Sequence, residues 1–449
     1  MWAGASPTVE LIPGLSRDIR GKNCIDLDAP MQYARFALGA VDGISPRGGI
    51  PTSADPSLVY GLIAFGDGRG YLVPLDSSRV GVEALELYAP TTLRGHLAKL
   101  AMRAGLKHGV LQLRLPRVML GLSSGASGQE VTIRELFRYL RETVASDDVS
   151  FAIYLGTPGP HRKPVVQITD RTGRILAYAK IGWNEPTREL VQNEEDTLRR
   201  LRSFSFSTFQ IPEVLGYAVI SRASVLVLGA SHGRARRHPS TLSEIVPALV
   251  GLANCEVSEE PLPGSGFAQA LLQRIPGLRP IGRLGSEDVE LLEEALRISL
   301  EQIGDIRLPF VWAHGDFSPW NLQVLDSHGS LLALDWERAR PRCLPGWDLF
   351  YFTLEGMGLE RASALAQALH SHETRLYFDR LRVRSDLILP LFSSFLVDLI
   401  SWYWKSNLDR GVLSAAQARW FRSRTRLLAE LMSTSRTGRR YVVFAWTDP

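Results

Sequence analysis

An aspartate and an asparagine five residues apart stand in the run His314-Gly315-Asp316-Phe317-Ser318-Pro319-Trp320-Asn321. Fourteen positions after Asn321 comes Asp335, in Asp335-Trp336-Glu337. Thirteen after that comes Asp348, in Gly346-Trp347-Asp348-Leu349-Phe350. Phosphoryl transfer needs such a set. One acid accepts the proton of the attacking hydroxyl, while an amide and a second acid hold magnesium on the nucleotide phosphates. The plain alternative is a polar turn, since Asp, Asn, Ser and Pro favour turns anyway. Against it stand the apolar segment Leu331-Leu332-Ala333-Leu334 just before Asp335 and the apolar residues after Asp348.

A loop of this kind works only beside elements that hold a nucleotide, and the upstream chain is laid out to provide them. Phe151-Ala152-Ile153-Tyr154-Leu155 reads as a strand, residues Gly156 to Lys163 as a loop, and Val165-Val166-Gln167-Ile168 as a returning strand. Asp170-Arg171-Thr172-Gly173 is a turn, and Ile175 to Ile181 is a third strand carrying Lys180. A helix from about Thr187 to Arg202 carries Glu194 and Glu195. Two further strands are expected over Ile211 to Val219 and Ser224 to Leu228. This order matches the small lobe of a protein-kinase fold. Alone, Lys180 reads as an exposed lysine; third in the strand order and followed by a helix glutamate, it can hold phosphates as a compact cation. Glu194 is the preferred partner because it shares a face with Leu198 and Leu201, with Glu195 left open.

The catalytic-loop pattern and the short Asp335-Trp336-Glu337 run resemble the aminoglycoside phosphotransferase and choline kinase family over residues 148 to 432. The resemblance implies an ATP- and Mg-dependent enzyme (ATP or another nucleoside triphosphate). It implies Asp316 as the general base or hydroxyl-orienting acid, and Asn321 and Asp335 as magnesium ligands. His314 and Asp348 are expected to brace the loop, and Glu337 to stand behind it. Thr157, in the Gly156–Gly159 loop, could contact phosphate. Leu228, Gly229 and Ala230 lie where a hinge would meet adenine. The loop is not G-x-G-x-x-G, and Pro158 and Pro160 remove two backbone donors. No Walker A motif is present: the stretch Gly14 to Asn23 spaces its glycines too widely and has no Ser or Thr at the magnesium position. Of the nearby tryptophans, Trp312, Trp320, Trp336 and Trp347, core packing is the commoner job, with ligand stacking weighted toward Trp320 and Trp336.

The expected fold is α+β, a bilobal protein-kinase-like arrangement with a β-rich small lobe over 148–235 and a helical large lobe over 236–449. A separate small α+β N-terminal module over 1–147 precedes it. That module shows a hairpin signal around Gly66-Asp67-Gly68-Arg69-Gly70 and helical spacing at Leu93, Leu97, Leu100, Ala101 and Ala104. A second helix is expected over Glu130 to Val144. The module carries no chemical motif, and it offers a possible dimer or partner surface. Residues 1 to 30 read as an irregular lead-in, and Tyr441 to Phe444 as a β-like run.

Composition narrows the partners. The chain of 449 residues holds 51 basic and 47 acidic residues, too balanced for a nucleic-acid partner. Three cysteines, Cys24, Cys255 and Cys343, form no metal spacing and no even disulfide set, which fits a reducing cytoplasm. Leu387 to Trp404 is apolar but interrupted by Pro390 and Asp398, a buried helix rather than a membrane span. Only eight residues separate Glu337 from Gly346, leaving no room for a long activation loop, and no H-R-D, D-F-G or A-P-E run occurs. The acceptor is therefore expected to be a small-molecule hydroxyl. From Leu349 to Pro449 there are fourteen Lys/Arg and nine Asp/Glu, a balance that favours a sugar, glycan or related metabolite over a polycation. The competing readings are a catalytically silent kinase-like scaffold and an atypical protein kinase.

Overall fold

The computed structural model describes residues 41–45, 59–65, 68–75, 78–87, 93–110, 115–120, 133–159, 161–230, 237–325, 330–358, 362–408 and 413–436. The lead-in over 1–30 and the run Tyr441 to Phe444 lie outside them. The chain divides into two compact units. One takes in Ala3–Asp196 and Pro212–His232, the other Thr197–Ile211 and Gly233–Pro449.

The first unit is built on one sheet of nine strands. These are β1 (Val41–Ser45), β2 (Val59–Ala64), β3 (Gly70–Pro74), β4 (Arg117–Leu120), β5 (Val149–Tyr154), β6 (Val165–Asp170) and β7 (Ile175–Gly182), then β9 (Val214–Ile220) and β10 (Ala223–Gly229). Their spatial order is β1-β4-β2-β3-β5-β6-β7-β10-β9. At the β6–β7 turn, Asp170 Oδ1 accepts the backbone N–H groups of Thr172 and Arg174 at 2.8 and 2.9 Å, which is why Asp opens this tight turn.

The strands on either side of residue 147 are direct neighbours. Tyr71 and Leu72 of β3 pair with Tyr154 and Ile153 of β5, and Leu155 N–H donates to Gly70 O at 2.9 Å. A single core cluster mixes both sides: Leu62, Leu72, Leu136 and Phe137 pack with Phe151, Ile153, Val166 and Val225. The N-terminal α+β module is thus joined edge to edge to the strands that follow it. The acidic pair Asp147-Asp148 marks a tight connection between the helix Ile133–Thr143 and β5, not a linker.

The helix Leu93–Lys107 also departs from the simplest reading of its pattern. Ala98, Met102 and Leu106 are buried, whereas Leu97 and Leu100 are 58% and 64% exposed. Leu97, Leu100, Ala101 and Ala104 of the stripe noted in the sequence face outward. Two apolar faces compete on this helix, and the smaller one packs inward because Val73, Ala84 and Leu85 meet it.

The second unit is mainly helical, with long helices Leu242–Ala253, Ser286–Ile303, Ile388–Lys405 and Ala415–Arg436. It also carries two three-stranded sheets. One has the order β11 (Ser258–Pro261), β12 (Arg307–Ala313), β15 (Arg340–Cys343), and the other β13 (Leu322–Val324), β14 (Leu331–Ala333), β8 (Phe209–Gln210). The strand expected over Ile211 to Val219 begins only at Val214, past Pro212, which has no N–H to offer a ladder; a separate two-residue strand precedes it. Phe209–Gln210 runs parallel to Leu331-Leu332, and Val214–Ile220 joins the large sheet.

The helix Ser385–Lys405 is long and apolar enough to cross a membrane, yet 83% of its apolar window is buried inside the protein. Its buried acid, Asp398, is 2% exposed. It accepts Arg274 Nη2 at 2.6 Å, Trp347 Nε1 at 2.9 Å and Arg340 Nη1 at 2.9 Å. Burial works against this charge, and the two guanidiniums overcome it, holding the carboxyl below its usual range.

Candidate active site

In the helical unit the polar run sits at the end of β12, and its backbone is tied down from four directions. The Asp348 carboxylate accepts the N–H of His314 at 2.6 Å and of Gly315 at 2.9 Å. Burial pushes the Asp348 carboxyl up, and His314 and the two N–H donors offset only part of that rise. His314 is fully buried and both its ring nitrogens are engaged. Nε2 lies 2.8 Å from Leu334 O, and Nδ1 receives the Asp316 N–H at 3.3 Å. The ring packs against Trp336 with centroids 4.5 Å apart. Asn321 Nδ2 donates to Asp316 O at 3.0 Å, and Asn321 O accepts Leu334 N–H at 2.8 Å.

Gly315 has φ +81°, and a Cβ there would lie 2.2 Å from Arg338 O. Only glycine fits, both for its left-handed backbone and for the close approach. Asp335 is also left-handed, at φ 67° and ψ 59°. A non-glycine residue held there carries strain of about 1–3 kcal/mol, of the kind that collects at functional positions. The side chain of Asp316 is left partly exposed at the centre of this scaffold. Glu337 is 7% exposed in the 3-10 turn Trp336–Arg338.

The tryptophans divide by burial. Trp336 is fully buried and donates Nε1 to Ala333 O at 2.8 Å. Trp312 and Trp347 are each 4% exposed, so these three are packing residues. Trp320 keeps a partly exposed face.

In the β-rich unit, Lys180 Nζ lies 2.7 and 2.5 Å from the two oxygens of Glu194. Lys180 is 13% exposed and Glu194 not at all. Of the two adjacent glutamates the structure pairs Glu194 with the lysine, because Val191, Glu194, Leu198 and Leu201 share the buried face of the helix Glu185–Leu201. Thr157 is exposed, with its hydroxyl 2.8 Å from Tyr154 Oη. The loop that holds it is pinned by Arg162, which donates to Leu155 O and Gly68 O, both at 2.9 Å. Gly68 belongs to the β2–β3 turn, and a Cβ on it would lie 2.9 Å from Pro158 Cγ. The N-terminal hairpin therefore supports the loop directly. Leu228 is 6% exposed, and Ala230 N–H donates to Leu176 O at 3.0 Å.

Three residues around Asp316 escaped the sequence reading. Arg338 and Tyr403 are joined by a hydrogen bond, and the charge of Asp316 acts on both Arg338 and Tyr351. None belongs to a spaced motif; only Arg338, next to Glu337, stood close to one.

The sequence matches the phosphotransferase enzyme family over residues 143–384, more than half of the chain, and the chain belongs to that family. It is a small-molecule phosphotransferase that acts on a hydroxyl group. Among solved structures it is similar to an aminoglycoside phosphotransferase from Alicyclobacillus acidocaldarius, at 17% identity and a TM-score of 0.37 over 61% of this chain and 90% of that one. It is also similar to a type I macrolide 2'-phosphotransferase, at 16% identity and a TM-score of 0.42 over 63% and 95%. A spectinomycin phosphotransferase solved with ADP and its antibiotic shares 10% identity and a TM-score of 0.42 over 68% and 98%. No curated protein matches the chain by sequence.

Proposed function

We propose that the protein moves the γ-phosphate of ATP, or of another nucleoside triphosphate, to a hydroxyl of a sugar, glycan or related metabolite. In this reading Asp316 accepts or orients the hydroxyl proton. A base in that role has to sit within hydrogen-bond reach of the attacking oxygen and stay there. The observation that carries the reading is the fixing of the loop around one carboxylate. Asp348, His314 and Asn321 hold the backbone on both sides of Asp316 and leave its side chain partly exposed.

Asn321 and Asp335 offer hard oxygen donors suited to magnesium. Asn321 spends its Nδ2 on Asp316 O, which turns its Oδ1 away from that bond. Magnesium, when bound, would neutralise phosphate charge. On the nucleotide side, Lys180, oriented by Glu194, would hold phosphate oxygens, with Thr157 on the loop above them and Leu228 and Ala230 lining the adenine. His314 and Asp348 act on the loop and not on the substrate.

A screen of ADP release over sugars, amino sugars, aminoglycosides and choline tests this reading, with Asp316→Ala as control. The variant should lose about 10²-fold or more in turnover. Equal ADP release by wild type and variant would refute it.

A further inference from the structure

Two buried polar atoms next to Asp316 have no hydrogen-bond partner among the described residues: the Tyr351 hydroxyl and Arg338 Nε. Tyr351 is 1% exposed, one helical turn beyond Asp348 in the helix Trp347–Tyr351. Its ring stacks on Trp347 at 5.3 Å and 13°, so its position is fixed by packing and not by its hydroxyl. A buried hydroxyl without a partner is destabilising, a penalty that phenylalanine would avoid. Burial first, and then the charge of Asp316, raises the phenol well above its ordinary pKa, so it stays a donor at any working pH.

Arg338 is anchored beside it. Its carbonyl oxygen fills the space where a Gly315 side chain would be. Its guanidinium lies 4.4 Å from the centre of the Trp402 ring and 5.8 Å from that of Tyr403, and Nη1 donates to Tyr403 Oη at 3.2 Å. Trp402, Tyr403 and Trp420 keep partly exposed faces, and Trp420 lies 4.7 Å from Tyr403. Below them the Glu355 carboxylate is closed off, held by Arg424 at 3.0 and 2.9 Å and by Trp420 Nε1 at 3.2 Å.

We infer that Tyr351 Oη and Arg338 Nε form a subsite for the acceptor, which is a neutral or acidic carbohydrate ring and not an amino sugar. The inference rests on the phosphotransfer reading and names the substrate class for it. Both groups are donors, and one is a fixed cation. They match hydroxyl or carboxylate oxygens and repel an ammonium group placed beside the reacting hydroxyl. The partly exposed rings of Trp402 and Tyr403 offer edges suited to the apolar face of a sugar ring. Tyr351 is a positioning residue for the acceptor, while the chemistry stays with Asp316.

The experiment pairs calorimetric binding and ADP release on the full chain with neutral hexoses, the matching uronic acids and the matching 2-amino hexoses, for wild type and Tyr351→Phe. The expected result is binding of the neutral or acidic members, with the amino members at least ten-fold weaker. Tyr351→Phe should raise the acceptor KM about ten-fold or more, the loss of one substrate hydrogen bond. It should leave the nucleotide KM unchanged and the Tm equal or higher. An unchanged acceptor KM in the variant, a preference for amino hexoses, no binding from any of the three classes, or a lowered Tm with both KM values altered would each overturn the inference. Acceptor binding that weakens in the variant, but without ADP release by wild type, supports the subsite and sinks the phosphotransfer reading alone.

Discussion

The carboxylate of Asp348 reaches back 34 positions to accept the backbone N–H of His314 at 2.6 Å. Its other oxygen takes the N–H of Gly315. Buried donors of this kind are expensive to leave unmade. Asp348→Ala should lower stability by about 2–4 kcal/mol, read as a fall in the urea midpoint, and should abolish turnover with it. Asp316→Ala should cut turnover about 10²-fold or more at an unchanged midpoint. If both variants unfold alike, the division between bracing and reacting residues is wrong.

Lys180 and Glu194 make a second asymmetric test. Removing the lysine alone leaves a fully buried carboxylate without its cation, a loss of about 3–5 kcal/mol. The double variant Lys180→Met, Glu194→Leu replaces the pair by apolar groups and should regain most of that stability. It should not regain nucleotide affinity, measured by calorimetry with ADP. A double variant that binds ADP like wild type would remove Lys180 from the nucleotide site.

How much of this was legible beforehand depends on the range of the interactions. The loop residues could be placed because Asp316 and Asn321 are neighbours in one turn, and Asp335 and Asp348 follow at short spacings. Lys180 and Glu194 followed from element order. The pairing of β3 with β5 was not legible, because register between strands is set by side chains that meet only in the fold. Nor was the outward face of the helix Leu93–Lys107, where two apolar stripes compete and periodicity does not choose. Arg338, Tyr351 and Tyr403 converge from separate elements, so no local pattern marks them.

The shared sheet predicts the behaviour of a chain that starts at Asp147. It would expose the edge of β5 and the apolar groups of Phe151, Ile153 and Val166, which Leu72 and Phe137 cover in the full chain. It would also lose the support of Gly68 for the loop at Pro158 and Arg162. We expect aggregation on expression, scored by size-exclusion chromatography. A monodisperse, active product would show that the first strands are dispensable.

A pH test concerns Glu244, which caps the helix Leu242–Ala253. Its Oε2 accepts the N–H groups of Ser240 and Thr241 at 2.8 and 3.1 Å, and Arg237 pairs with its other oxygen. The Arg237 contact leads the causes that hold its pKa down at about 2, from an ordinary 4.5. A depressed carboxylate adds stability above pH 4.5 that is lost as pH falls toward 2. Glu244→Gln should therefore lower the Tm at pH 7 and show a smaller fall in Tm between pH 4.5 and 2. Parallel Tm curves for the two proteins would exclude this role.

The stretch that carries the family's imprint, residues 143–384, does not complete its own interior at either end. At its start, β5 finds its neighbour in β3. At its finish, Arg274, Arg340 and Trp347 all converge on Asp398, fourteen positions beyond it. A chimera spliced at the limits of likeness would cut a hydrogen-bonded ladder and leave the Arg274 and Arg340 guanidiniums without the carboxylate they share. In this protein the unit that is inherited and the unit that folds have different borders. Exchange of activities with its relatives would have to follow the borders of the folding unit.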